Sequence, residues 1–284
     1  PGMVSPAVLR YLKAVAAAFG LPTTLLPDYS RTMDGGLWTE YQRIPEGGTP
    51  VEALKRAGAA AGTVELGHAL ARAKATAGTV LADRFGVACH RLGLPMGVEA
   101  TDRFFAALAE ISGRPVPEAH AEERGRLLDA YADGHKYVSG VRAVVYGEED
   151  LVAGLAAFLS EIGIIPVLCA SGGRSGKLKA VLSDIIPDMD KHGVVIRDGV
   201  DFVDIESTAR ELSPHLLIGA SKGYSMARRL NLPLVRVGFP IHDRIGGARL
   251  HHLGYRGTQE LFDRIANTLI EKNQGNSDWG YSYM

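Results

Sequence analysis

The feature that most limits how this chain can fold is a rhythm: from Val141 to Val237, short apolar runs alternate with longer stretches whose apolar residues recur at helical spacing. Strands are expected near 141–146, 164–169, 193–196, 216–218 and 234–237, with helices near 150–162, 177–186, 201–212 and 224–230. Parallel strands joined by helical crossovers of one hand bury both faces of a single sheet, which predicts a doubly wound α/β domain. A weaker version of the rhythm runs upstream. Ser5-Pro6 reads as a helix start, with Val8, Leu9, Leu12, Val15, Ala16 and Phe19 on one face up to Gly20. A β-rich run at 23–26 precedes a Gly-, Asp- and Pro-rich loop from 30 to 49, a length usually kept for function or partner contact. A helix from Pro50, a strand near 63–66, a helix to about Phe85 and a strand over 87–92 follow. Helices at 99–111 and 117–137 then come without a strand between them, which breaks the rhythm. The predicted layout is a first α/β domain over 1–116, a long connecting helix over 117–138, a second domain over 139–272 ending in a helix at 259–270, and a polar tail over 273–284.

Bulk properties narrow the function classes. The 284 residues are 46% hydrophobic, enough for a sizeable core, and a formal net charge of −1 provides no positive field to attract nucleic acid or an anionic membrane. No apolar run reaches the ~18 residues that span a bilayer, and 1–12 lacks a secretory layout, so the expected compartment is the cytoplasm. The two cysteines, Cys89 and Cys169, are far apart and in no Cys-x-x-Cys pair; both are expected as buried thiols. Pro1-Gly2-Met3 reads as a turn entering a helix, with the expectation that something precedes it.

In doubly wound sheets the working turns follow the carboxyl ends of strands. Gly219-Ala220-Ser221-Lys222-Gly223-Tyr224-Ser225 is such a turn, in which Gly219 and Gly223 permit close backbone approach, and the amides around Ser221 and Lys222 could meet an anion; a tight turn serving packing is the other reading. Ser171-Gly172-Gly173-Arg174-Ser175-Gly176-Lys177 imitates a phosphate loop, yet Leu178 stands where the magnesium-binding hydroxyl belongs and the glycine spacing is one short. His242, His251 and His252 near Asp243 have no helical pair spacing or third ligand, and read as structural or surface histidines. No Gly-x-Ser-x-Gly elbow supports a serine hydrolase.

Four segments together resemble the nitrogenase component 1 family: Leu26-Pro27-Asp28-Tyr29-Ser30 through Met33-Asp34-Gly35; Gly47-Gly48-Thr49-Pro50; Glu110-Ile111-Ser112-Gly113-Arg114-Pro115-Val116-Pro117 with Glu123-Arg124-Gly125-Arg126-Leu127; and Arg236-Val237-Gly238-Phe239-Pro240-Ile241-His242-Asp243-Arg244 with Gly254-Tyr255-Arg256-Gly257. The resemblance implies two Rossmann-like domains of the component-1 type. The stretch from Asp28 to Gly35 looks closest to the N-type subunit of the scaffold that builds the iron-molybdenum cofactor, while the Gly-Phe-Pro run is shared with nitrogenase β subunits. It further implies a heterotetramer with an E-type (α-like) subunit, transient contact with the nitrogenase iron protein, and an iron–sulfur cluster and cofactor precursor held by the assembled complex, none by this chain alone. The places of the α-like metal ligands match Leu66-Gly67 and Gly238-Phe239, which cannot bind metal, and the cluster cysteines of the family's N-terminal domain are carried over to neither Cys89 nor Cys169. Cofactor contacts are expected from loop positions Gly219, Ser221, Lys222, Gly223, Phe239 and His242, with Phe239 as a buried wall residue. The alternatives are a β subunit of nitrogenase or a nitrogenase-like reductase, and a stand-alone α/β enzyme with its ligand in the crevice at Gly219–Ser225.

Overall fold

The computed structural model describes residues 4–277; the expected turn at Pro1-Gly2-Met3 and the end of the tail, 278–284, lie outside them. Helix α1 (Pro6–Ala18) starts where the Ser5 hydroxyl accepts the Val8 N–H at 3.2 Å, and it buries Val8, Leu9, Leu12 and Val15. The chain then runs irregularly, broken only by the short helices α2 (Ser30–Met33) and α3 (Val51–Lys55) and one 3₁₀ turn. The β-rich run at 23–26 forms no strand, because no described strand lies beside it to complete a ladder.

Strands β1 (Thr63–Leu66) and β2 (Cys89–Leu92) pair in parallel, Thr63 opposite Cys89 and Leu66 opposite Leu92. Their crossover is two helices, α4 (His68–Ala71) and α5 (Ala77–Phe85), where one is expected. Thr76 is the cause: its hydroxyl accepts the Thr79 N–H in a capping box and donates to the buried Glu65 at 2.9 Å, restarting the helix. Helices α6 (Gly97–Ser112) and α7 (Glu118–Val138) follow without a strand between them, as expected. The sheet of this half therefore has two strands, fewer than a doubly wound domain normally carries.

Beyond α7 the predicted alternation is complete: β3 (Arg142–Gly147), α8 (Glu149–Glu161), β4 (Ile165–Ser171), α9 (Leu178–Ile185), β5 (Val195–Asp198), α10 (Phe202–Leu212), β6 (Leu216–Gly219), α11 (Tyr224–Leu230), β7 (Leu234–Arg236) and α12 (Gly254–Gly275). All five strands are parallel in the order β5-β4-β3-β6-β7, so the winding direction reverses between β3 and β6. The central strands are apolar through their middles, with polar residues only at their ends such as Arg142 and Ser171, because helices cover both faces.

One core is continuous from α1 through α6, α7 and α12 to β3, β4 and α8, and a smaller one lies under α10 and α11. The long helix α7 is packed rather than a bare connector. A side chain at Gly134 would stand 2.5 Å from the Phe262 ring of α12, so the absent Cβ lets the two helices close. No described helix is long and apolar enough to cross a membrane.

Candidate functional site

A ligand of a doubly wound sheet would sit where the winding reverses, outside the carboxyl ends of β3 and β6. In this chain that crevice is filled by its own side chains. Tyr146, next to last in β3, donates its hydroxyl to the Ala220 carbonyl at 2.8 Å. A Cβ at Gly219 would lie 2.6 Å from the Tyr146 ring, and one at Gly223 would overlap its hydroxyl. The glycines therefore admit Tyr146. Glu149 and Asp150, both buried, open α8 directly after β3. Glu149 accepts the Ser175 N–H at 3.0 Å and also its hydroxyl, so the loop 171–177 holds an internal carboxylate where a phosphate loop would hold its oxyanion. Asp150 reaches across to α4 and accepts the Ala69 N–H at 2.6 Å, in the space that Gly67, at φ +149°, leaves open. Burial pushes the Asp150 carboxyl above the ordinary range, partly offset by that amide. Of these groups only the glycines were legible in the sequence. The signal for the others was the run Glu148-Glu149-Asp150 immediately after a strand, too acidic for a turn left to solvent alone.

The loop after β7 adjoins this turn. The Ser221 hydroxyl accepts the His242 N–H at 3.1 Å, which joins the two loops expected to carry cofactor contacts, while Lys222 and the His242 ring stay exposed. Asp243 is bound by Arg236, through Nε and Nη2 at 2.9 and 2.7 Å, more closely than by Arg244 at 3.6 Å. The Arg236 guanidinium holds the Asp243 carboxyl below its usual range. Phe239 is half-buried, not part of the core as expected, because its ring lies at the loop edge, stacked on Tyr29 with centroids 6.3 Å apart. His252 is fully buried and burial drives its pKa down to about 3; partly exposed His251 is lowered to about 4 for the same reason. Cys169 is buried, with its thiol pushed up to about 12, whereas Cys89, expected to be buried too, is half-buried beside Gly78 and Glu65 at the first position of β2. Among the described residues no three His, Cys, Asp or Glu side chains converge as a ligand set.

The signature segments are tied together by polar anchors. Asp28 pairs with Lys13, and Asp34 with Arg10 at 2.6 Å, which fastens the loop 28–35 to α1. Arg124 of α7 grips Asp102 through Nε and Nη2, both at 2.9 Å, and Tyr255 of α12 donates to the same carboxylate at 2.6 Å. Burial raises the Asp102 pKa, but these two donors outweigh it and leave the carboxyl below its ordinary value. Two distant signature segments thus converge on a residue that the sequence did not single out.

Residues 1–270 match the family model of nitrogenase component 1 type oxidoreductases. The chain belongs to the nitrogenase component 1 family. It is 34% identical over 272 residues to the nitrogenase molybdenum-iron protein beta chain of Clostridium pasteurianum, covering 96% of this chain and 59% of that one. To the nitrogenase iron-molybdenum cofactor biosynthesis protein NifN of Bradyrhizobium diazoefficiens it is 32% identical over 273 residues, 96% of this chain and 55% of the relative. The solved structure of nitrogenase Cp1 at pH 6.5 superposes on all of it with a TM-score of 0.91 at 32% identity, using 62% of that component-1 chain. This family member therefore spans between half and two thirds of the length of the relatives it matches, and its parallel sheets are those of the component-1 fold.

Proposed function

We propose that the chain is the N-type subunit of a scaffold for iron-molybdenum cofactor assembly, working in the cytoplasm in a heterotetramer with an E-type, α-like subunit and meeting the nitrogenase iron protein transiently. The observation that carries this reading is the occupied crevice: Tyr146 fills the glycine turn after β6, where a doubly wound domain with chemistry of its own would take its ligand, while Glu149 and Asp150 beside it are bound by the loop 171–177 and by α4. A subunit so closed contributes shape and surface while its partner holds the precursor and clusters. The joined loops then present Lys222 and His242 outward, as the part of the predicted site able to reach a precursor held next door. The likeness to a cofactor biosynthesis protein over 96% of the chain supports it too. The same filled turn counts against a stand-alone enzyme with its ligand at Gly219–Ser225.

A second reading, a nitrogenase β subunit, draws on the 34% identity to the Clostridium pasteurianum beta chain. Co-expression separates the two. With an E-type scaffold subunit the chain is expected to co-purify at equal stoichiometry and to raise the iron content of the complex. Pairing only with a nitrogenase α chain, together with substrate reduction, establishes the second reading. A catalytically active iron-free monomer excludes both.

A further inference from the structure

The crossover between β1 and β2 contains a segment, 68–75, in which no residue is buried. Both of its ends are fixed to the β1–β2 pair: Gly67 before it donates its N–H to the Leu92 carbonyl at 2.7 Å, and Thr76 after it donates its hydroxyl to Glu65 at 2.9 Å. Between those anchors the segment leans on the other half of the molecule through polar contacts. Asp150 of α8 accepts the Ala69 N–H at 2.6 Å, Arg72 pairs with Asp184 of α9, and the same guanidinium donates to the Ala180 carbonyl at 3.4 Å. On its own side, Arg91 of β2 donates to the Ala71 carbonyl at 3.1 Å. The seat beneath is smooth. A Cβ at Gly93 would overlap His68 Nε2, and one at Gly67 would lie 2.4 Å from the Asp150 carboxylate, so the segment rests on bare backbone where side chains would otherwise interlock.

We propose that residues 68–75 are a lid over the joint between the two halves, hinged at Gly67 and Thr76 and latched to α8 and α9 through Asp150 and Asp184. A segment that buries no residue gains little apolar free energy from staying shut, so it opens locally while the rest of the fold holds. The Arg72–Asp184 pair is a weak catch, because its side chains are 41% and 68% exposed. The Asp150 catch is opposed from within. Closing keeps this carboxylate only 8% exposed, and the burial that raises its pKa is a cost relieved when water returns. Gly67, at φ +149°, has the backbone freedom a hinge uses, and the capping box at Thr76 stops the motion from running into α5. Opening uncovers the His68 ring and the Asp150 carboxylate, which follow the carboxyl ends of β1 and β3, the ends from which doubly wound sheets work.

The test is native-state amide exchange on the 284-residue chain, read residue by residue, with diethyl pyrocarbonate as a probe of the His68 ring. The amides of Ala69, Ala71 and Arg72 are expected to exchange at least about tenfold faster than that of Gly67, at a rate that does not rise with urea below the unfolding transition. Asp150→Ala should speed exchange at Ala69 and Ala71 and the modification of His68 together, each by about tenfold, with Val144 and Val145 of β3 unchanged. Arg72→Ala should do the same by about threefold, as befits an exposed pair. If Asp150→Ala also loosens β3, Arg72→Ala decides, because the bonds of Arg72 go to α9. The proposal is overturned if these amides exchange only together with those of β1 and β2 in one urea-dependent unfolding, or if neither variant speeds them. It is equally overturned if exchange quickens while modification of His68 does not, which makes the change a fraying of α4 over a joint that stays shut.

Discussion

Tyr146 is where the chemistry of the crevice is decided, and its role rests on contacts with glycines that come about 75 residues later in the chain, Gly219 and Gly223. Gly223→Ala should destabilise by about 1–3 kcal/mol through overpacking, and Tyr146→Phe by about 1 kcal/mol through the lost hydrogen bond to Ala220. Because Phe removes the atom nearest the new methyl, the double variant should cost less than the two summed; additive denaturation midpoints would show that the glycine is there for another reason. Phe239→Ala should cost about 1–2 kcal/mol, below the ~3–5 expected of a fully buried aromatic, since its side chain is only partly buried. His252 sets a pH dependence. Its folded pKa, about 3, lies below the ordinary histidine value of 6.5, so the unfolded chain takes up a proton that the folded chain refuses. Stability from this group is complete above pH 6.5 and is lost as pH falls from there toward 3, by up to about 1.4 kcal/mol per unit. His252→Gln should flatten the acid limb of chemical stability against pH, and an unchanged limb would contradict the assignment.

At the scale of elements, the predicted helices and strands of 139–272 all form, and the first half shows where periodicity fails as a guide. A helical apolar pattern continues across Thr76, but a hydroxyl that caps Thr79 and meets Glu65 ends one helix and starts another. Thr76→Ala should therefore lower stability by about 1–2 kcal/mol, loosening α5, with exchange rising first in its opening turn. The run 23–26 shows the opposite failure: residues with strand propensity stay irregular because propensity supplies no partner. Helix α7, charged along most of its length, reads as a connector until Gly134 is seen to accept Phe262.

On the surface of the whole molecule, the long loop expected to serve function or partner contact holds large apolar groups in water: Leu37 is 94% exposed, Tyr41 87% and Ile44 84%. Binding an α-like subunit should cover them and raise stability by mass action, about 2.7 kcal/mol at a partner concentration 100-fold above Kd, read as a concentration-dependent melting temperature. A chain whose melting is indifferent to its partner would leave that surface without a purpose. The sequence by itself determined the α/β class, the order of elements after residue 141 and the family resemblance, because each depends on local periodicity or on short runs of residues in fixed order. Only the tertiary structure decided that the glycine turn is filled by Tyr146, that Glu149 replaces an oxyanion in the loop 171–177, that Asp102 gathers Arg124 and Tyr255, and that among the described residues β1 pairs with β2 alone. Each of these is a contact between residues far apart in the chain, or the lack of one, and local pattern carries no information about which distant group arrives to fill a space.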